Sequence, residues 1–167
     1  AVSREERSVG RAHHLRMLIP KLRRPHRLKA LDALFDAALQ VEKDADLFYA
    51  MEVLDSFHPA TQRRILRRVW SDPKGPVVVL AWATRSIYVG GSLSVDQVHR
   101  RWRMLVSEIG LPASESLVRS QIASLVPLES GSAVGLLVQL APVLRRELLQ
   151  EMSEILRSAA PHWALTR

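Results

Sequence analysis

Arginines occur in clusters in this sequence, and clustered guanidiniums are candidates for binding an anionic partner. A guanidinium pairs with carboxylates and phosphates through two parallel hydrogen bonds, so a cluster of them suits an acidic partner. The clusters lie in four stretches: Arg16, Arg23 and Arg24; Arg63, Arg64, Arg67 and Arg68; Arg100, Arg101 and Arg103; Arg145 and Arg146. We predict partner binding by Arg16, Arg23, Arg24, Arg63, Arg64 and Arg67. Nonspecific phosphate contact by the last three clusters, or a solvated helix face, is the alternative.

The charge distribution singles out the amino-terminal end of the chain. Residues 1–30 carry nine Lys and Arg against two Glu, which accounts for the whole net charge of +7. We therefore predict a basic arm over residues 1–27, with one helix in it, that contacts an acidic partner. The partner could be a protein surface, a nucleic-acid backbone or an anionic membrane surface, and a solvated basic terminus is the alternative.

Other kinds of chemistry find little support in the sequence. There is no cysteine, which excludes disulfides, thiolate nucleophiles and sulfur-ligated zinc. The motifs Gly-x-Ser-x-Gly, His-Glu-x-x-His and the Gly-rich phosphate loop are missing. His13 and His14 would point about 100° apart on a helix, which is poor geometry for joint chelation. We expect no catalytic, cofactor or metal site, no enzyme activity and no membrane span.

The sequence pattern predicts that these arginines lie on short helices or in the loops that join them. With 167 residues and 47% apolar content, the chain suits one domain. Prolines, glycines and apolar residues at three- and four-residue steps predict eight to nine helices joined by short loops. Asp44 or Asp46 is expected to cap the helix that contains Leu47, and Pro59 to begin the next one. The last helix is predicted from Pro142 to about Ala159.

One segment, residues 76–89, has two interpretations. Val77, Val78 and Val79 are β-branched in succession, which is typical of a buried strand. The apolar run continues through Trp82 to Tyr88, a length more typical of a helix. We favour the helix, because a lone strand would leave its backbone groups without partners.

A faint repeat connects this segment to the next pair of helices. Gly75-Pro76 and Gly110-Leu111-Pro112 each precede a helix, with the two prolines 36 residues apart. The intervening VHRRWRMLVSEIGLP, with Met104 and Glu108 before Gly110, resembles the pentatricopeptide repeat, a two-helix motif of about 35 residues. The resemblance implies an all-α fold of consecutive antiparallel hairpins, forming a short right-handed solenoid over residues 28–167.

The sequence departs from the members of that family that bind RNA. Val77 to Val79, and later Leu117, Val118 and Arg119, stand where RNA-reading repeats carry an aromatic and a small polar residue. Base-specific recognition of single-stranded RNA is therefore not the expected activity. The tryptophans Trp70, Trp82, Trp102 and Trp163 are expected to anchor helix packing or an interface rather than to stack on a base or cofactor.

The chain also resembles pentatricopeptide-like accessory subunits of the euglenozoan mitochondrial ATP synthase. That resemblance implies a non-catalytic scaffold in the mitochondrial matrix, associated with the inner membrane only through the complex, that docks on the α-type subunit of the catalytic head. The start at Ala1, with its Arg and Ser residues, suits an imported and processed protein. The alternatives are an organellar RNA-binding protein and an accessory subunit of another respiratory complex or of the mitochondrial ribosome.

Overall fold

The protein is all-α, as the sequence predicts. The computed structural model describes residues 4–84, 93–128 and 130–159, and within these ranges it has nine α-helices and no strand. The helices are α1 Arg4–Leu18, α2 Arg24–Leu39, α3 Asp44–Glu52, α4 Pro59–Trp70, α5 Gly75–Thr84, α6 Val95–Ile109, α7 Leu111–Leu125, α8 Ser130–Leu140 and α9 Arg146–Ala159. Two 3-10 turns, Ile19–Lys21 and Val53–Ser56, follow α1 and α3.

Most helix starts agree with the local signals in the sequence. Pro59 begins α4, where the side chain of His58 accepts a hydrogen bond from the amide of Ala60. Ser94 and Gln97 form a reciprocal capping box at α6. The predicted cap by Asp44 or Asp46 is wrong, because Lys43 is the cap residue of α3 and makes no side-chain cap hydrogen bond. Both aspartates lie in the first turn, where their charge favours the helix dipole.

Helix α5 settles the ambiguous segment in favour of a helix. It runs from Gly75 to Thr84, and every residue from Val78 to Thr84 is at most 1% exposed. A helix that is buried on all sides needs no polar face, so its sequence lacks the usual helical period. Residues 85–89 of the predicted helix lie outside the described residues.

The chain divides into two compact units, residues 1–82 and residues 83–167. In the first unit, α1 packs against α2 and α3, and α2 packs against α3. The core of this unit is aliphatic and aromatic, with fully buried Leu31, Phe35, Phe48 and Ile65. The separate arm over residues 1–27 stays a prediction, although α1 contributes the buried Ala12 to this packing.

The second unit stacks its helices in order. Each of α6, α7 and α8 contacts the next helix, and α6 and α7 also contact the next but one. That pattern is typical of consecutive helical hairpins, while the right-handed solenoid stays a prediction. Gly110 joins α6 to α7 with a φ of +88°, a conformation that favours glycine.

In the second unit, an ion pair joins α7 to the residue just before α9. The sequence pattern alone does not indicate this pair. Glu115 on α7 is only 3% exposed and accepts two hydrogen bonds of 2.6 Å from Nε and Nη2 of Arg145. Arg145 stands just before α9. The last helix begins at Arg146, and the predicted start at Pro142 is therefore wrong. One turn further along α7, Arg119 donates to Glu151 of α9 at 3.0 Å.

Acid should weaken the second unit through Glu115. Hydrogen bonds from Arg145 lower the pKa of this carboxyl below its ordinary 4.5; burial opposes them, and the charges of Arg145 and Arg119 add to the lowering. A lowered folded-state pKa contributes stability above the ordinary value, which is lost as the pH falls through the folded-state pKa. We therefore expect Glu115→Gln to be less stable than wild type at neutral pH in thermal unfolding, with the difference shrinking in acid. A difference that is independent of pH would contradict this role of Glu115.

Candidate docking surface

Two arginines of α4 pair with acids of α2. Arg64 pairs with Asp32 of α2 at 2.8 Å, and Arg68 pairs with Asp36 one turn further along. Because both partners advance together by one turn, α2 and α4 run in the same direction along this edge. Ile65, Leu66 and Val69 lie on the buried side of α4.

The pair between Arg64 and Asp32 is expected to contribute little to stability. Its side chains are 53% and 41% exposed, and exposed ion pairs contribute below about 1 kcal/mol. We expect Arg64→Ala to lower the free energy of unfolding by no more than that, with a similarly small coupling to Asp32→Ala in a double-mutant cycle. A coupling several times larger would mean that Arg64 serves the fold and is not available to a partner.

The residues of the amino-terminal stretch that were predicted to bind a partner lie at two sites, one beside α3 and one at the start of α2. Arg16, near the end of α1, lies with its guanidinium 5.0 Å from the ring centroid of Tyr49 on α3. Arg23 is the cap residue of α2 and Arg24 is its first residue, and both are exposed. Neither Arg23 nor Arg24 forms an ion pair with a carboxylate of the described residues.

Arg63 and Arg67 lie on the exposed side of α4, one turn apart. Helix α4 thus has two arginine rows, with Arg63 and Arg67 in one row and the acid-paired Arg64 and Arg68 in the other. Among the predicted partner-binding residues, Arg64 lies beside α2, the helix that begins with Arg24. Arg16 contacts α3 instead.

A groove opens where the first turns of α2 and α4 approach each other. Its volume is about 390 Å³, and it is lined by Arg24, Arg27, Leu28, Ser56, Phe57, His58 and Thr61. The lining combines basic groups with an apolar floor. We call this the α2/α4 groove.

Arg27 is held in one place within the α2/α4 groove. Its guanidinium lies 4.9 Å from the ring centroid of Phe57, and Nη2 donates to Oγ of Ser56 at 3.0 Å. Oγ of Ser56 in turn donates to the carbonyl of Val53 at 2.9 Å. Nε of Arg27 is buried and has no hydrogen-bond partner. The side chain is thus fixed without a carboxylate from the described residues.

Sequence reasoning missed most of this groove. Arg24, Arg27 and Leu28 lie three and four residues apart, a spacing that places them on one face of α2. That spacing was available in the sequence. The approach of Phe57 and Ser56 was not, because it depends on the turn between α3 and α4.

The remaining clusters are less suited to phosphate binding than predicted. Arg101 is only 5% exposed, and Arg145 is bonded to Glu115, so neither is a surface phosphate contact. Arg100 and Arg103 are exposed on α6. In the described residues no group of three or more His, Asp or Glu side chains could hold a metal ion.

The tryptophans follow the packing prediction where they are described. Trp82 and Trp102 are 1% and 5% exposed, and Trp70 is half-buried. Trp163 lies outside the described residues. The described tryptophans therefore contribute mainly to packing.

No protein-family model, curated protein or solved structure matches this chain. Within the described residues, none of the helices has both the length and the apolar character needed to cross a membrane. Function is therefore inferred from the surface chemistry of the chain.

Proposed function

We propose that this protein is a non-catalytic accessory subunit that docks on a larger protein assembly through the basic surface of its first unit. The observation that carries the proposal is the contrast between two sets of arginines. Arg64, Arg68, Arg119 and Arg145 pair with acids of the same chain. Arg23 and Arg24 are exposed and have no such acid among the described residues.

Charge complementarity favours an acidic protein surface for these two arginines. Arginine is enriched at protein interfaces, where it pairs with carboxylates through two hydrogen bonds. The exposed pair between Arg64 and Asp32 adds a weakly held cation on the same edge, which can exchange its carboxylate for one from a partner. Arg63 and Arg67 extend the basic surface along α4.

The specific assembly that we propose is the mitochondrial ATP synthase, with the α-type subunit of the catalytic head as the docking partner. This part of the proposal is supported by the resemblance to the pentatricopeptide-like eighteen-kilodalton accessory subunit of the euglenozoan enzyme. The all-α stack of short helices suits that resemblance. A protein of this type would work in the matrix and would make no ATP itself.

The experiment is affinity purification of the tagged chain from mitochondria of the cells that produce it. We expect ATP synthase head subunits to travel with it in constant ratio, before and after RNase treatment. Arg23→Glu with Arg24→Glu should release them, because two attractions become repulsions. The matched control, Arg100→Glu with Arg103→Glu, makes the same charge change on α6 and should keep the complex.

Three outcomes would overturn parts of this proposal. RNase-sensitive recovery would indicate the RNA-binding alternative. Recovery of ribosomal proteins or of another respiratory complex would contradict the ATP synthase. Retention of the complex by the Arg23 and Arg24 variant, with unchanged helicity, would contradict the docking surface.

A further inference from the structure

We propose that the α2/α4 groove binds an acidic segment of a partner protein, with one apolar side chain of that segment on the groove floor. The inference rests on the proposed function for its choice of a protein as occupant, and it adds the chemistry of the segment. The groove lies within the first unit, because its lining residues fall between Arg24 and Thr61 in the sequence.

The groove offers a cation that is already in position. Arg27 is held by the ring of Phe57 and by Ser56, whose hydroxyl hydrogen is committed to the carbonyl of Val53. Its Nε is buried and has no acceptor among the described residues, so the donors left for an occupant are on the outer nitrogens of the guanidinium. A side chain that is ordered before binding loses little conformational entropy when it captures a carboxylate.

The rim of the groove adds further hydrogen-bond donors. The guanidinium of Arg24 is exposed beside the groove. Nδ1 of His58 accepts the amide hydrogen of Ala60, so the ring proton of the neutral imidazole is on Nε2, which can donate. The described lining residues include no Asp or Glu. The groove is therefore complementary to an anion.

The apolar floor of the groove is complementary to an apolar group as well as to an anion at the rim. Leu28 is 46% exposed, and Phe57, which also lines the groove, is half-buried. Burial of this apolar area is favourable when the occupant brings an apolar group, since a polar group placed on it would lose its hydrogen bonds to water. A volume of about 390 Å³ leaves room for one large side chain and the backbone beside it.

A protein segment fits these features better than single-stranded nucleic acid does. Proteins that bind single strands stack bases on exposed aromatic faces, and here Arg27 already covers a face of Phe57. The carboxy-terminal residues 160–167 of the chain itself contain no Asp or Glu, so they lack the charge that the groove requires. The occupant that satisfies both rim and floor is an acidic segment with an apolar anchor.

The test is a fluorescence-anisotropy titration of the purified full chain with a short labelled peptide. The peptide has one Phe flanked on each side by two Glu. Its controls replace every Glu by Gln, or Phe by Ala, and labelled oligouridylate serves as the nucleic-acid probe. We expect the Glu peptide to bind most tightly, with an affinity that falls as salt is raised.

Three variants locate the binding in the groove. Arg24→Gln and Arg27→Gln should each weaken the Glu peptide by about tenfold or more, since each removes a charge-assisted hydrogen bond. Leu28→Glu should do the same, because the new carboxylate lies one turn from Arg24 and competes for it. Arg100→Gln on α6 is the matched control and should bind as wild type does.

Several results would overturn the inference. One is equal binding of the Glu and Gln peptides, and another is wild-type affinity in both Arg24→Gln and Leu28→Glu. These two exposed positions decide the matter even if Arg27→Gln fails to fold. Tighter binding of oligouridylate, lost in the same variants, would make the groove a nucleic-acid site. The titration needs only the purified chain, so its failure is distinct from failure of the subunit to join an assembly.

Discussion

Gly75→Ala is expected to destabilise the first unit by about 3 kcal/mol, the upper end of what overpacking costs. A Cβ at this position would lie 1.7 Å from the carbonyl oxygen of Val69 and 2.7 Å from its carbon. Both are backbone atoms near the end of α4, so the clash cannot be relieved by moving a flexible side chain. Urea unfolding followed by helical circular dichroism measures the loss.

Gly10→Ala is the matched control for that substitution. Gly10 lies within α1, and nothing would stand within 4 Å of a Cβ there. Alanine at an open helical position should stabilise the chain by about 0.5–1 kcal/mol, because it reduces the freedom of the unfolded chain. Effects of the same sign in the two variants would contradict the close approach of Gly75 to α4.

Trp82→Ala is expected to cost about 3–5 kcal/mol, the usual range for removing a large buried aromatic side chain. Trp82 lies on α5, is 1% exposed and is among the largest fully buried side chains. The same change at the half-buried Trp70 should cost distinctly less, because less area returns to water.

The Trp82→Ala variant also tests whether this tryptophan has a role in RNA binding. If Trp82 served mainly to stack on a base, its removal would weaken RNA binding and leave the free energy of unfolding nearly unchanged. A loss of stability without a change in oligouridylate binding is the result that we expect. The opposite pattern would contradict the packing role of the tryptophans.

The sequence predicts helices well where local signals decide them. Pro59 at the start of α4 and the spacing of Ile65, Leu66 and Val69 on its buried side need no tertiary information. The β-branched run before Trp82 was harder, because a helix that is buried on all sides has no amphipathic period. Length, rather than propensity, distinguished helix from strand there.

Contacts between distant residues explain the parts that were missed. Residues 141–143 form turns after α8, so α9 begins only at Arg146. The contact of Arg145 with Glu115, which is 30 residues away in the chain, could not be read from local signals either. The α2/α4 groove likewise depends on Phe57 meeting Arg27, two residues from different elements. Charge counting predicts a partner site around Arg23 and Arg24, but it gives no sign that Arg64 pairs with Asp32.

A density map of the native particle that contains this chain would show directly what the docking surface faces. We expect the edge formed by α2 and α4 of the first unit to face a neighbouring subunit, with acidic side chains of that subunit opposite Arg23 and Arg24. A map in which this edge faces solvent, or in which an RNA backbone lies along it, would show that the surface does not dock on a protein.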